Sequence, residues 1–271
     1  MNRSSAWSFE GTVRESARRL IDRLPTLERP LLTARDRYAR AHVAVRRLHN
    51  RLRYDAPPDP YRFVHVDPAS VERGIEFPVA KYRQAGEIAG GDWDRRGFRF
   101  EEFDVFRAYR AHFRDGVAWE DTDFYDRIVA QIERGEPRWG CRTEAEFRER
   151  FERIERLYER IRTDGYRTQA ELLASGDADP AGTGRHSELL TERLKDEIAV
   201  HIDRDGGIMF SDGRNRLSIA KLVGLESVPV RVLKRHADWQ AVRDAYVRGE
   251  SWAAEYADHP DVSYLEFDSV R

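Results

Sequence analysis

The run Ser211-Asp212-Gly213-Arg214-Asn215-Arg216-Leu217-Ser218-Ile219-Ala220-Lys221-Leu222-Val223-Gly224-Leu225, followed by Val228-Pro229-Val230-Arg231-Val232, restricts the fold more than any other stretch of the chain. It demands a strand ending at an Asp-Gly turn, a short helix closed by Gly224, and a second strand. Just upstream, Ile198-Ala199-Val200-His201-Ile202 alternates as a strand, Asp203-Arg204-Asp205-Gly206-Gly207 reads as a hairpin turn, and Ile208-Met209-Phe210 returns. The helix start in this run carries Arg214, Asn215 and Arg216. Free backbone N–H groups, the positive end of the helix dipole and two guanidinium forks would meet there, which suits phosphate. The same residues also fit a plain helix start, with Asp212 as N-cap and the arginines on the surface.

The rest of the chain is mostly helical in pattern. Val13, Ala17, Leu20, Leu24 and Leu27 recur at intervals of three and four, and Pro25 and Pro30 interrupt or end that helix. A second helix follows with Leu31, Ala34, Tyr38, Ala41, Val45, Leu48 and Leu52 on one stripe, the face expected to pack on the body or on a second copy. Asp55-Ala56-Pro57-Pro58-Asp59-Pro60 is a stiff linker, and Tyr61-Arg62-Phe63-Val64-His65-Val66 alternates as a strand that stops before Pro68. Residues 75–100 show no period and read as a glycine-rich loop with extended pieces. Residues 101–174 are helical, with stripes on Phe103, Phe106, Tyr109 and Phe113, then Phe124, Ile128 and Ile132, then Phe147, Phe151, Ile154, Tyr158 and Ile161 behind a Thr143-Glu144-Ala145-Glu146 capping pattern. Residues 175–187 form a polar loop, and a last amphipathic helix falls over residues 238–248. Strand 63–66 has one apolar face and no strand near it in sequence, so it belongs in the sheet of residues 199–202 and 228–233.

Composition narrows the setting. A chain of 271 residues with 35% charged and 40% hydrophobic residues has material for a sizeable core. No window reaches the 18 or so apolar residues of a membrane span, and a cytoplasmic location is expected. The single cysteine, Cys141, rules out an internal disulfide, and the eight histidines show no metal-ligand spacing. Lys81, Lys195, Lys221 and Lys234 are the only lysines among 47 basic residues. From residue 12 to residue 53 twelve arginines stand against four acids, while the whole chain has a net charge of −2, so a basic N-terminal region is joined to an acidic body.

The parts at 199–202, Asp205-Gly206, 208–210, Gly213-Arg214-Asn215-Arg216, 217–224 and Val228-Pro229-Val230 resemble the core of the ParB/sulfiredoxin-like superfamily, and strand 63–66 with Asp67-Pro68 is similar to its opening strand. The resemblance covers under a fifth of the chain. It implies an α+β fold with a small mixed sheet, split by a large helical insertion and preceded by an N-terminal helical pair: residues 1–56 basic helices, 57–100 the first part of the core, 101–187 the insertion, and 188–271 the second part. Three departures stand out. Sulfiredoxins carry a cysteine in the turn where this chain has Arg214. Serine kinases of the superfamily carry a histidine where this chain has Asn215. Partition-type ParB proteins carry Gly-Glu-Arg-Arg and a helix-turn-helix portion, for which about forty residues after Val232 leave too little room.

The candidate phosphate- or nucleotide-binding residues are therefore Asp212, Gly213, Arg214, Asn215 and Arg216. The resemblance implies ATP or CTP with Mg²⁺ as cofactor, and a phosphotransferase or nucleotide hydrolase as activity. Asp67, Glu72 and Glu76 are the candidate catalytic acids, since a base must reach the attacking hydroxyl and Mg²⁺ takes one or two carboxylates besides phosphate oxygens. Asp92, Trp93 and Asp94, beside Gly90 and Gly91, could hold a cation and stack on a base; His201 and Arg204 are accessory candidates. For each, a structural role stands beside the functional one: turn chemistry for the hairpin acids, a buried indole for Trp93, packing for Trp139-Gly140-Cys141-Arg142. Two other readings remain open. Residues 12–53 could grip nucleic acid, or the chain could be a non-catalytic interaction protein that has kept the fold.

Overall fold

Three valine-rich segments far apart in sequence assemble one mixed sheet. The computed structural model describes residues 28–75, 81–177, 179–180 and 197–265. β1 (Phe63–Val66) pairs antiparallel with β7 (Val228–His236), with Phe63 opposite Arg231 and Val66 opposite Val228. β7 runs parallel to β5 (Ala199–Ile202), which forms an antiparallel hairpin with β6 (Ile208–Asp212). β2 (Arg73–Gly74), β3 (Glu87–Ala89) and β4 (Phe98–Arg99) complete a seven-stranded sheet in the order β1-β7-β5-β6-β2-β4, with β3 also on β7. The alternation of residues 63–66 thus finds the sheet partner it needs, across the whole helical stretch.

The helices are α1 (Glu28–Arg53), α2 (Lys81–Gln84), α3 (Asp104–Asp115), α4 (Asp123–Glu133), α5 (Glu144–Asp164), α6 (Gln169–Ala174), α7 (Arg214–Val223) and α8 (Ala237–Val247). With the mixed sheet they give the expected α+β class. Capping explains several of their ends. Thr143 Oγ1 accepts the Glu146 N–H, and the Glu146 carboxylate accepts the Arg142 N–H one residue earlier than the usual reciprocal box. Thr122 caps α4 through the Tyr125 N–H, and Gly116 ends α3 in the left-handed conformation.

Two apolar cores meet on α7. Val64, Val66, Val200, Ile202, Val230, Leu217, Ala220 and Trp239 form the sheet core. Tyr109, Trp119, Phe147, Phe151, Ile154, Ile161 and Ile219 form the helical core of α3, α4 and α5. Leu217 and Ile219, two residues apart on one helix, face the two sides. The residues that begin α7 are therefore held at the junction of sheet and helical layer.

α1 runs unbroken from Glu28 to Arg53, with Pro30 in the first turn, where no intrahelical bond awaits its nitrogen. One expectation needs correcting. The apolar stripe of α1 is not its packing face. Asp36, Ala39, Val43 and Asn50 are buried, Val43 joining Ala85, Ala199 and Leu233, whereas Tyr38, Val45, Leu48 and Leu52 face outward. Hydrogen bonds from Asn50 to the Gly86 carbonyl at 2.8 Å and from Arg47 to Asp59 at 3.0 Å fasten the inner face. The earlier helical pattern of residues 12–27 lies outside the described residues.

Candidate functional site

β6 hands over to α7 through a single glycine. Gly213 is the N-cap, at φ +89° in the left-handed region, and a Cβ there would come within 2.7 Å of the Ile198 Cα. Both facts require glycine. Asp212 is not the cap that the Asp-Gly pattern suggested: its Oδ1 accepts the adjacent Gly213 N–H at 2.7 Å, and among the described residues no side chain caps α7. The positive end of α7 is thus left for another acceptor.

Arg214, the first residue of α7, lays its guanidinium 3.8 Å from the centre of the Trp139 ring. Arg150, from the middle of α5, places a second guanidinium 5.1 Å from the same ring and donates to the Trp139 carbonyl at 3.3 Å. Both are half-buried, burial lowers both pKa values, and each depresses or feels a neighbouring cation: Arg150 acts on Arg214 and Arg153 acts on Arg150. Neither forms an ion pair with any carboxylate among the described residues. The acids that act on Arg214 are Asp212 and Asp104, and Asp104 is engaged by Arg127. The Arg150 Nε is buried and has no hydrogen-bond partner.

Trp139 reaches this position at a conformational cost. It has φ +55°, the only non-glycine residue with positive φ among the described residues, in a tight turn where Arg138 and Cys141 exchange both backbone hydrogen bonds. With Gly140 at φ +78° the pair has the two positive φ values of a type I′ turn. A bulky residue there costs about 1–3 kcal/mol, and its ring is held edge-on to Phe124. Asn215 faces the helical core: its Oδ1 accepts the Tyr109 hydroxyl at 3.0 Å, and burial raises the Tyr109 pKa.

Arg216 differs from its neighbours. It is buried and ion-paired to Asp179, not a surface arginine. Behind it lies Glu197, also buried, which accepts the Gln169 N–H at 2.8 Å and the Tyr166 hydroxyl at 3.1 Å. Burial raises the Glu197 pKa against the opposing hydrogen bond and the charges of Arg216 and Arg231. Arg216 therefore anchors the start of α7 to the segment that follows α6.

The accessory candidates come together, but around an internal cation. Arg204 Nε and Nη2 donate to the two Asp94 oxygens at 2.7 Å each, and Nη2 also reaches Asp92 at 3.0 Å. These hydrogen bonds hold the Asp94 carboxyl well below the usual range. The cation that Asp92 and Asp94 hold is the chain's own arginine. Trp93 donates to the Ala89 carbonyl at 2.9 Å and lies 4.1 Å from the Lys234 ammonium, with His201 edge-on to it. His201 is fully buried, and burial with the Lys234 charge pulls its pKa down to about 3. The hairpin aspartate Asp203 accepts the N–H groups of Asp205 and Gly207, as turn chemistry requires.

Of the candidate acids, Asp67 caps the turn of residues 68–70 through the Ala69 N–H at 2.8 Å, and Glu72 is exposed beside it. Both act electrostatically on Lys221, which lies on α7 seven residues beyond Arg214, about 10 Å along the axis. Glu76 lies outside the described residues. Among the described residues no group of three or more His, Cys, Asp or Glu could hold a metal ion, and no helix is long and apolar enough to cross a membrane.

Sequence reading located the turn and missed its main companions. Trp139 read as a packing residue and Arg150 was not singled out; the packing of α5 beside α7 brings them together. The one signal was Trp-Gly, which a type I′ turn rationalises. No family model matches the chain, and no curated protein or solved structure is detectably similar to it.

Proposed function

We propose that the chain binds a phosphate-bearing small molecule, a nucleotide or phosphorylated metabolite, at the start of α7, on a core of the ParB/sulfiredoxin-like kind. The observation that carries this reading is the pair Arg214 and Arg150: two half-buried guanidinium groups, unpaired with any carboxylate among the described residues, beside a helix N-terminus that no described side chain caps. Desolvating two like charges is unfavourable without a counter-charge. A phosphate would supply one, taking planar forks from both arginines and backbone N–H groups from the first turn.

ATP or CTP with Mg²⁺ is the ligand class that the sequence resemblance suggests, and Mg²⁺-assisted phosphoryl transfer or hydrolysis is the corresponding reaction. Mg²⁺ needs few protein ligands when the substrate brings phosphate oxygens; Asp212 is the carboxylate beside the turn, while Asp67 and Glu72 stand near Lys221, farther along α7. A second reading, binding without catalysis, is favoured by Asn215, whose amide oxygen is occupied by Tyr109 and which cannot carry a proton.

The test is a thermal-shift panel on the full chain with ATP, CTP, GTP, ADP and pyrophosphate, each with and without Mg²⁺. A ligand at a hundred times its dissociation constant adds about 2.7 kcal/mol. We expect at least one to stabilise the chain and Arg214→Ala to lose about ten- to a hundred-fold in affinity. Absence of stabilisation by every phosphate compound would overturn the reading; a shift that needs no Mg²⁺ and no turnover would favour the second.

A further inference from the structure

We propose that the outward seam of α1 is a docking surface for an acidic amphipathic helix of a partner protein. Leu31, Ala34, Tyr38, Ala41, Val45, Leu48 and Leu52 alternate at intervals of three and four over three heptads, the narrow a/d stripe of a coiled-coil strand. The structure buries the opposite side. Asp36, Val43 and Asn50, seven residues apart on the back of that seam, are 4%, 0% and 4% exposed, while Val45, Leu48 and Leu52 are 68%, 60% and 81% exposed. One helix thus has two packing faces, one of them used by the body.

The seam's flanks specify the occupant. Positions directly beside it are Arg35, which already has a partner, His42 and His49 on one edge and Arg37, Ala44 and Arg51 on the other, with no acid among them. A partner helix in this geometry places its own flanking residues against these, and like charges there are repelled. A second copy of α1 would bring arginine against arginine. The preceding segment of the same chain fares no better: beside its stripe of Val13, Ala17, Leu20 and Leu24 stand Arg14 and Arg23, while Glu15 and Asp22 fall on the far side. Its stripe from residue 13 to residue 27 would also span only about 21 Å as a helix, against about 32 Å for the α1 seam from residue 31 to residue 52, and could not reach Leu52 by folding back. A helix with leucines on one stripe and glutamates beside it satisfies both the seam and its flanks. Along the His42 and His49 edge a groove of about 420 Å³, with Tyr54 and Ile88 on its far side and Glu87 beside Arg46 in its lining, leaves room for side chains from the edge of that helix. A lipid surface would suit a broader apolar face.

The probe is a synthetic four-heptad peptide with Leu at a and d and Glu at e and g, whose flanking glutamates oppose self-pairing. Fluorescence anisotropy with the full chain should show saturable binding that weakens with salt, at least tenfold tighter than for the same peptide with Lys at e and g. The variant Val45→Ser/Leu48→Ser/Leu52→Ser should lose at least tenfold while keeping the thermal midpoint, because those side chains are exposed. Equal binding of the two peptides, no binding of the Glu peptide, or no loss in the variant overturns the proposal. Two further results would overturn it in favour of another occupant: co-sedimentation with phosphatidylserine vesicles that the variant abolishes, which assigns the face to lipid, and a dimer mass in sedimentation equilibrium that the variant halves, which assigns it to a second copy.

Discussion

Arg235 and Arg243 are among the most buried described side chains, and between them stands Asp261; Arg214 and Arg150 are half-buried over one indole, and no described carboxylate forms an ion pair with either. In the first region the two cations share one carboxylate. Arg235 and Arg243 both reach the Asp261 carboxylate, Trp239 donates to it at 3.0 Å, and Arg243 also donates to the Ala56 carbonyl at 2.9 Å. Burial alone would push the Asp261 carboxyl up, but the two arginines hold it below the usual range. That network ties β7, α8 and the 259–264 segment to the linker before β1. In the second region the desolvation is similar in kind and the carboxylate is missing. The contrast separates arginines that serve the fold from arginines left for an outside anion.

The largest effect should come from the first region. Asp261→Asn leaves two buried guanidinium groups sharing a neutral amide and should cost about 3–5 kcal/mol in urea unfolding. A loss under 1 kcal/mol would mean that the buried network is not holding the tail to the sheet.

Arg216→Ala tests which side of the contrast that residue belongs to. Because it is buried and ion-paired to Asp179, its removal takes the buried cation from beside Asp179 and Glu197 and should cost about 3 kcal/mol, with ligand binding altered only through the misplaced turn. Unchanged stability together with abolished phosphate binding would move Arg216 into the second class.

Legibility from sequence followed the same division between local and distant signals. The β5–β6 hairpin, α7 and β7 were readable because strand alternation, Asp-Gly turns and a closing glycine are all local. The place of β1 in the sheet was readable because an apolar strand face needs a partner. The orientation of α1 was not: its strongest apolar stripe faces away from the body, and the buried side carries Asp36, Arg46 and Asn50, whose partners are backbone carbonyls or other polar groups that no periodicity announces. β2, β3 and β4 have two or three residues each, too short for any pattern. At the site, the turn was visible and the convergence of Trp139, Arg150 and Tyr109 on it was not, since each lies over sixty residues from α7.

A smaller, pH-dependent effect comes from His201. Its folded pKa, about 3, lies below the ordinary 6.5, so the unfolded chain takes up the proton first. The contribution is fully present above pH 6.5 and is lost as pH falls toward 3, at up to about 1.4 kcal/mol per pH unit. His201→Gln should flatten this part of the stability profile; an unchanged slope would show that His201 is charged and answered in the folded state.

The most direct test of the contrast is the free energy of unfolding of wild type and Arg214→Met, each measured with and without millimolar pyrophosphate or the best nucleotide. Methionine keeps apolar contact with Trp139 and removes the charge. The account predicts that the unliganded variant stays within about 1 kcal/mol of wild type, since only an unpaired cation and its contact with the ring are lost, and that the stabilisation by ligand seen in wild type disappears. Equal stabilisation of both proteins by the ligand, with the unliganded variant several kcal/mol weaker, would show that Arg214 belongs to the fold and that the anion site does not exist.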